Sequence, residues 1–364
     1  MATNKNITMK QLNGTDYDTL YPKTIAAQID DVYSKDETYP KSQLYTQSQL
    51  YTKEQILADA TKTLYGLGSD AVPDDVFRIL GAELRVITEV GTVVTVSKDG
   101  VTLRATADSS GFAVFGTLTF GEWTVTAGST SKTINIDAIA VFYLVMSDLE
   151  SLSWSRVAAI SKMGLASTMF HIGDEKTLTV NGVSYTAVII GFDHDVPVDI
   201  ATYGRSKAGI TWQLKNCINR KYQMNSINDN SGGWASCAMR TSTMATLLSQ
   251  LASDLKNAIV KVKKFTYTGY QSTTTSTTND FLFLLSEVEI FGSTKYTNAG
   301  EGSQYEYYQF GNSRVKTVNG SASEWWERSS TVSSSNNFCL VKDNGDDHSQ
   351  RADGSEGVSF AFCV

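Results

Sequence analysis

Cysteine, histidine and proline are scarce in this chain of 364 residues. With four cysteines and three histidines, it has few of the side chains that most often bind transition metals or catalyse reactions. Cys217, Cys237, Cys339 and Cys363 lie far apart, without the two-residue spacing of zinc or redox pairs. We expect buried free thiols, with a disulfide between Cys339 and Cys363 as the alternative.

Charge and long apolar runs are also limited. Charged residues make up 19% of the chain and the net charge is -7. Duplex binding draws most of its free energy from Lys and Arg, so we expect no nucleic-acid partner. No apolar run approaches 18 residues and segment 1–10 lacks the pattern of a secretory signal. We therefore expect synthesis in a host cytoplasm and no membrane insertion.

What is abundant favours strands and turns. Gly, Ser, Thr, Asn and Tyr are frequent, which suits short strands, tight turns and binding loops more than long helices. The length suits two compact domains plus an extended segment. The predicted fold class is mixed and mostly β.

A six-residue repeat marks the N-terminal part, with Tyr33, Tyr39, Tyr45 and Tyr51 in register. In an extended chain an even period places every Tyr on one face, and such a stripe needs neighbouring copies to cover it. Residues 1–60 are predicted to form an attachment and oligomerisation stalk of a homotrimer, with a solvated linker as the alternative. A capping box at Thr52 begins a helical pattern, and residues 61–82 are predicted as a linker helix.

Residues 83–145 alternate between apolar and polar side chains in short runs. Turn signals such as Gly91, Gly100, Gly111 and Gly121 separate these runs, at the spacing of a small antiparallel sandwich. We predict an immunoglobulin-like or transthyretin-like spacer, with segment 134–144 as its last strand and exit.

Residues 146–364 have a mixed pattern that predicts an α+β domain. Asn181 and Gly182 predict a two-residue hairpin turn. Segment 241–251 has apolar residues at helical spacing, while 259–263 and 281–285 are predicted strands. The Ser/Thr-rich tract 271–278 between them is predicted as a flexible loop.

Several motifs in this half carry a family resemblance. They are Gly233 with Trp234, Ser236, Met239 and Arg240; Leu284, Leu285, Ser286 and Glu287; Trp325, Trp326, Glu327, Arg328 and Ser329; Gly357 with Val358; and Phe362, Cys363 and Val364. Residues 150–364 resemble the C-type-lectin-like domains of the formylglycine-generating-enzyme type, which include variable proteins of diversity-generating retroelements. Segment 20–24 and the Tyr repeat resemble phage tail-fibre attachment segments. Ser330 and Ser359 depart from the residues usual in this family.

The resemblance implies a rigid scaffold below a solvent-facing patch that accepts many side chains, in a variable region of about 304–360. Trp325 and Trp326 are expected in the core, because two exposed adjacent indoles would favour aggregation. The side chains expected to supply the scaffold are Trp325, Trp326, Phe338, Val341, Val358, Phe360 and Phe362. Tyr, Asn, Asp and His side chains are expected on the surface. The predicted ligand-binding residues are Tyr305, Tyr307, Tyr308, Thr331, Ser333, Ser335, Asn336, Asn337, Asn344, Asp346, Asp347, His348 and Gln350.

The three histidines do not predict an enzyme. His171 and His194 are expected in turn or core roles, and Asp193, His194 and Asp195 do not converge as metal ligands on a strand. His348, beside Asp346 and Asp347, is expected to contact ligand, with a solvated loop or calcium ligation as alternatives. We predict no catalytic residue, cofactor or metal.

The predicted function is a phage tail-fibre or tail-tip protein of the virion that binds a bacterial surface receptor, either protein or glycan. Its N-terminus is expected to contact baseplate or tail proteins. One alternative is a retroelement-diversified bacterial adhesin or display protein, which needs a secretion signal or an anchor. The other is a tail-associated glycan depolymerase, which needs two carboxylates about 5–9 Å apart.

Overall fold

A computed structural model describes residues 9–13, 16–20 and 82–364. In the N-terminal part, strands β1 (Met9–Asn13) and β2 (Asp16–Leu20) form an antiparallel pair. The predicted Tyr repeat, the helix after Thr52 and nearly all of the predicted linker helix lie outside the described residues.

From residue 82 onward the described chain is made mainly of strands. The strands are β3 (Ala82–Ile87), β4 (Val93–Lys98), β5 (Val101–Thr106), β6 (Phe112–Leu118), β7 (Gly121–Ala127), β8 (Thr130–Ile136), β9 (Val141–Val145), β10 (Glu175–Val180), β11 (Val183–Phe192), β12 (Val196–Pro197), β13 (Ile210–Leu214), β14 (Val262–Tyr267), β15 (Thr275–Asp280), β16 (Lys316–Val318), β17 (Ser321–Ser323), β18 (Trp325–Ser330), β19 (Asn337–Val341), β20 (Asp347–Arg351) and β21 (Ala361–Cys363). The helices are α1 (Trp154–Lys162), α2 (Ala166–Met169), α3 (Ile200–Tyr203), α4 (Gly233–Ser236), α5 (Ala245–Gln250), α6 (Ser253–Ala258), α7 (Glu287–Phe291) and α8 (Glu306–Gln309), with a 3-10 helix at Leu149–Ser151 and a π-helix at Met239–Met244. The predicted mixed, mostly β class is confirmed.

Strands β3 to β9 form two sheets over one hydrophobic core. The strand orders are β6-β3-β9 and β5-β4-β7-β8. In β7 the alternation is direct: Trp123 and Val125 are buried, whereas Thr124 between them is exposed. Leu84 and Val86 of β3 enter the same core from the other sheet. Period-two patterning therefore locates these strands correctly.

The end of this region differs from its prediction. Segment 134–144 is not one strand, since β8 ends at Ile136 and β9 begins at Val141 in the other sheet. Strand β9 runs parallel to β3, so the arrangement is not wholly antiparallel. The apolar pattern continues through the connection and gives no sign that the chain changes sheets there.

The C-terminal half has three main sheets around a second core. Their strand orders are β10-β11-β13-β21, β12-β14-β15 and β18-β19-β20. The predicted hairpin is confirmed, since Val180 pairs with Val183 and Asn181 and Gly182 both have positive φ, at 47° and 78°. These dihedrals suit the two-residue turn that follows the twist of the strands.

Three further predictions need adjustment. Segment 241–251 is helical, but its first part belongs to the π-helix and α5 ends at Gln250. The predicted strand 259–263 is β14, which begins at Val262. The apolar run 281–285 is not a strand; Leu282 to Leu285 are buried and only Phe283 forms a bridge, to Ala361.

The Ser/Thr tract 271–278 is also only partly a loop. Its second half forms β15, which pairs along its length with β14. Thr is β-branched and fits a pleated strand, so composition alone does not distinguish this edge strand from a loop.

The expected scaffold side chains of the C-terminal half are confirmed as buried. Seven of them have an exposed fraction of 0%: Trp325, Trp326, Phe338, Val341, Val358, Phe360 and Phe362. Among the described residues, no helix is long and apolar enough to cross a membrane.

Candidate functional site

The C-terminal half contains a network of buried charged side chains. The Lys264 ammonium lies 2.6 Å from a carboxylate oxygen of Asp195 and 2.7 Å from one of Glu289. The Arg328 guanidinium holds both oxygens of Glu289, with one contact at 2.9 Å. These four side chains are at most 4% exposed, so each charge is balanced inside the protein.

The positively charged groups of this network keep the carboxylates of Asp195 and Glu289 ionised. Burial opposes ionisation of Asp195, but the ammonium of Lys264 and the His194 ring, 3.7 Å away, hold its pKa well below the usual range. Burial also opposes ionisation of Glu289, and Arg328 and Lys264 lower its pKa. Ion pairing and hydrogen bonding therefore outweigh desolvation at both sites.

Glu301 and Tyr305 extend the network. The backbone carbonyl of Glu301 accepts from Arg328, and its carboxylate accepts from Ser329. The Tyr305 hydroxyl donates to Asp195 at 2.8 Å and accepts from Lys264 at 3.1 Å. All of these groups are sealed from solvent, so they brace the scaffold and are not available to a substrate.

Elsewhere in the C-terminal half, Asn230 anchors a surface loop. It is 0% exposed, and its side-chain nitrogen lies 3.1, 2.7 and 2.9 Å from the carbonyl oxygens of Thr331, Ser334 and Asn337. Its backbone N–H donates to the Ser335 carbonyl at 2.9 Å. One buried amide thus fixes the course of the loop between β18 and β19.

The same amide ties a second loop to the first. The Asn230 side-chain oxygen accepts from the Tyr270 backbone N–H at 3.2 Å, and the Gln271 N–H donates to Val332. On the other side, the Ala352 N–H donates to the Asn336 carbonyl at 2.8 Å. The resulting continuous surface, which we call the loop face, comprises residues 225–229, 270–272, 332–337 and 350–353.

The loop face exposes both polar and apolar groups. Ser333, Ser335 and Arg351 are exposed, and Asn336, Asn337 and Gln350 are half-buried. Ile227 and Tyr270 have exposed fractions of 66% and 49%. Exposed aliphatic and Tyr side chains beside adaptable polar ones are typical of protein recognition surfaces.

A hairpin edge next to this surface holds four more predicted ligand residues. The turn between β19 and β20 is closed by Asn344, whose side chain donates to Asp346 at 2.8 Å. Asn344, Asp346 and His348 are exposed, whereas Asp347 is half-buried and pairs with Lys295 at 3.0 Å. The three exposed side chains are accessible to a ligand on the side of β20, whereas Asp347 is held by Lys295.

Three predicted ligand residues are not where the surface prediction put them. Tyr305, Tyr308 and Thr331 are buried, at 0%, 2% and 1% exposed, which contradicts their expected surface position. Tyr308 donates to Gln213 at 2.6 Å and the Thr331 hydroxyl donates to Ser334, so each polar group has an internal partner. Tyr307 is half-buried.

Tyr307 lies on the β10 and β13 side of the domain. Its ring packs edge-on against Tyr308, and Lys215 and Glu175 are its charged neighbours. Burial raises the pKa of its hydroxyl. Among its described contacts, none is with the loop face.

The histidines and their neighbours have separate environments. His194 stacks on Tyr305 with ring centroids 3.9 Å apart, and Asp193 pairs with Arg205 at 2.9 Å. His171 begins a turn in which its backbone N–H donates to Asp174, while its ring is exposed. In the part of the chain that the structure describes, no three His, Cys, Asp or Glu residues are grouped to hold a metal ion.

All four cysteines are free and buried, as the sequence favours. Burial raises the pKa of Cys217 and of Cys237 to about 12. Burial also raises the pKa of the Cys339 and Cys363 thiols. Such thiols behave as small apolar groups rather than as nucleophiles.

Sequence reasoning missed Asn230, Ile227 and Tyr270, which lie outside the predicted variable region 304–360. The only signal was the Ser/Thr tract that follows Tyr270, which marked a nearby loop. A buried Asn that donates to three backbone carbonyls leaves no periodic trace in a sequence.

Comparison with known proteins adds one family match. Residues 209–364 match a family described as "Domain of unknown function (DUF6273)", and the matched range contains the whole loop face. No curated protein matches the chain. Among solved structures, the Bacillus anthracis TIE protein is similar at 14% identity, with a TM-score of 0.17. That match covers 37% of this chain and 27% of the other.

Proposed function

We propose that this protein is a phage tail-fibre or tail-tip protein that binds a bacterial surface receptor through the loop face and the adjoining hairpin edge. It acts by binding and not by catalysis. In this proposal the C-terminal half is a lectin-like receptor-binding domain, and the sandwich of β3 to β9 is an immunoglobulin-like spacer. The N-terminal residues attach a homotrimer to tail or baseplate proteins of the virion.

One observation carries this proposal: the loop is held by its backbone. Asn230 donates to the carbonyls of Thr331, Ser334 and Asn337, which are present whatever side chains the loop carries. Ser333 and Ser335 can therefore be exchanged without losing the anchor. A surface whose shape does not depend on its exposed side chains suits a receptor-binding protein that diversifies.

The underlying charge network supports the same proposal. Buried ionic groups that are fully paired stabilise a scaffold only while every partner stays in place. The motif residues Arg328 and Ser329 are committed to Glu289 and Glu301 inside the domain. The exposed polar residues of the loop face and hairpin edge are therefore the ones left to contact a receptor.

Binding of the fluorescently labelled full chain to a panel of bacterial strains tests the proposal. We expect selective staining of some strains, measured by flow cytometry, and loss of staining in Tyr270→Ala and Ile227→Ala. An interface hot spot costs more than about 2 kcal/mol when truncated, which is more than tenfold in affinity.

Val114→Ala is the matched control for Ile227→Ala, because Val114 is also an exposed branched side chain but lies on β6 of the sandwich. His348→Ala and Asn337→Ala test the hairpin edge and the loop. Staining that survives all of the loop-face and hairpin-edge changes, or that is lost equally in Val114→Ala, would refute the assignment. Release of reducing ends from host capsule by the protein would instead favour a depolymerase.

A further inference from the structure

A cleft lies where the sandwich meets helices α1 and α3. The residues that line it are distant in sequence from the loop face. Its volume is about 630 Å³, and Phe112, Arg156, Lys162 and Tyr203 are among the residues that line it. Ligand sites have volumes of roughly 300–1,000 Å³ and often lie between structural units. The size and the location therefore suit a small ligand.

The cleft carries two positive charges that have no acidic partner. Arg156 is 5% exposed; its guanidinium donates to the Ser110 carbonyl, but its Nε has no hydrogen-bond partner among the described residues. The Lys162 ammonium donates to the Thr202 carbonyl at 3.1 Å. Within residues 82–364 neither side chain forms an ion pair with a carboxylate. A buried guanidinium with an unused donor favours an anionic ligand.

Three carboxylates near this junction are engaged by other groups. Asp254 accepts from the backbone N–H groups of Trp154 and Ser155, at 2.7 and 3.2 Å. Glu89 accepts from the backbone N–H and the hydroxyl of Ser153, at 3.1 and 3.3 Å. Asp108 accepts from the backbone N–H groups of Ser110 and Phe112, at 2.8 and 3.0 Å. All three carboxylates bond to groups other than Arg156, so no direct contact with a carboxylate compensates the charge of Arg156.

Gly111 shows how closely the Arg156 guanidinium is seated. The glycine has a φ of 73°, and a Cβ built on it would lie 2.0 Å from the guanidinium carbon of Arg156. Only glycine lets this side chain lie against the turn between β5 and β6. The charged group is thus positioned by the sandwich, although it belongs to α1.

The remaining lining combines hydroxyl and apolar groups. The hydroxyls come from Ser109, Ser110 and Ser155, and the apolar surface from Val90, Phe112 and Met163. Pyranose sugars present hydroxyl groups on their rim and C–H groups on their faces, which matches a lining of this kind.

We propose that this cleft is a second ligand site and that it binds an acidic saccharide unit, a sugar that bears a carboxylate or a phosphate. Arg156 and Lys162 hold the acidic group, and the serine hydroxyls and apolar walls contact the sugar ring. The proposal goes beyond receptor binding by the loop face and does not depend on it.

Titration of the full chain with glucuronate, glucose 6-phosphate and glucose tests the proposal. Binding is measured by isothermal titration calorimetry and saturation-transfer NMR. We expect saturable binding of at least one of the two acids and at least about tenfold weaker binding in Lys162→Gln and Arg156→Gln, since each removes a charged hydrogen bond. Comparison of the two acids shows whether the site prefers a carboxylate or a phosphate.

Two further variants separate this site from effects on folding. Ser155→Trp should fill the cleft and abolish binding while the thermal unfolding midpoint stays unchanged, because Ser155 is exposed. Lys342→Gln, on the turn between β19 and β20, removes a positive charge elsewhere and should bind like the wild type. Absence of saturable binding by both acids, equal binding of glucose, or binding that is insensitive to Lys162→Gln and Ser155→Trp would overturn the proposal.

Discussion

Replacement of Glu327 by Gln should make the free energy of unfolding of the C-terminal half less dependent on pH. Glu327 lies in β18 and is 0% exposed, and neither of its carboxylate oxygens has a hydrogen-bond partner among the described residues. Burial, and then the neighbouring carboxylates of Glu287 and Glu301, raise its pKa well above the usual range. The folded protein therefore holds a proton that the unfolded chain releases.

The sign and size of the effect follow from proton linkage. The stability contributed by neutral Glu327 is fully present below the unfolded pKa of about 4.3 and is lost progressively as the pH rises from there through the folded pKa. Across that window, the free energy of unfolding falls by about 1.4 kcal/mol per pH unit. Gln has nearly the same shape and does not titrate. Relative to the wild type, the free energy of unfolding of Glu327→Gln should therefore increase by about 1.4 kcal/mol for each pH unit in this window.

Urea unfolding monitored by Trp fluorescence at several pH values between about 5 and 8 measures the effect. A difference of about 1.4 kcal/mol corresponds to roughly 3–5 °C in Tm for a domain of this size, so thermal unfolding gives a second readout. Glu306→Gln is the matched control, because Glu306 lies in the same half but is only half-buried. Parallel stability curves for the wild type and Glu327→Gln across the whole pH range would refute the reasoning.

Two further changes test the scaffold and the anchor. Arg328→Met leaves the Glu289 carboxylate buried without its guanidinium partner, and we expect urea unfolding to show a loss of about 3–5 kcal/mol; a loss below about 1 kcal/mol would contradict this role. Asn230→Ala removes a donor shared by three loop carbonyls and leaves that of Thr331 unpaired, which should cost about 1–3 kcal/mol. Amide hydrogen exchange in 331–337 should then be faster, and unchanged exchange would exclude Asn230 as the anchor.

Much of the fold was predictable because it depends on local patterns. The alternation of Trp123 and Val125 with exposed residues locates β7, and Asn181 with Gly182 locates a hairpin turn. The burial of Trp325 and Trp326 follows from the cost of exposing two large apolar rings. Each of these inferences needs only neighbours within a few residues.

The placement of the tyrosines was not predictable in the same way. Tyr305 and Tyr308 have a polar hydroxyl that favours the surface when no partner is known. Their partners Asp195 and Gln213 lie 110 and 95 residues away in the chain. A buried Tyr with such a partner is as acceptable as an exposed one, so composition alone cannot choose between them.

The candidate site divides into groups that must stay and groups that can change. Thr331 is buried and its hydroxyl donates to the loop carbonyls of Ser334 and Asn337, so its side chain is part of the anchor. Ser333 and Ser335, two and four residues beyond it, are exposed to solvent. Because the anchor uses backbone acceptors and one buried hydroxyl, variation at the exposed positions changes the chemistry of the loop face at little cost in stability. Under the proposed function, receptor specificity can therefore change without a change in folding.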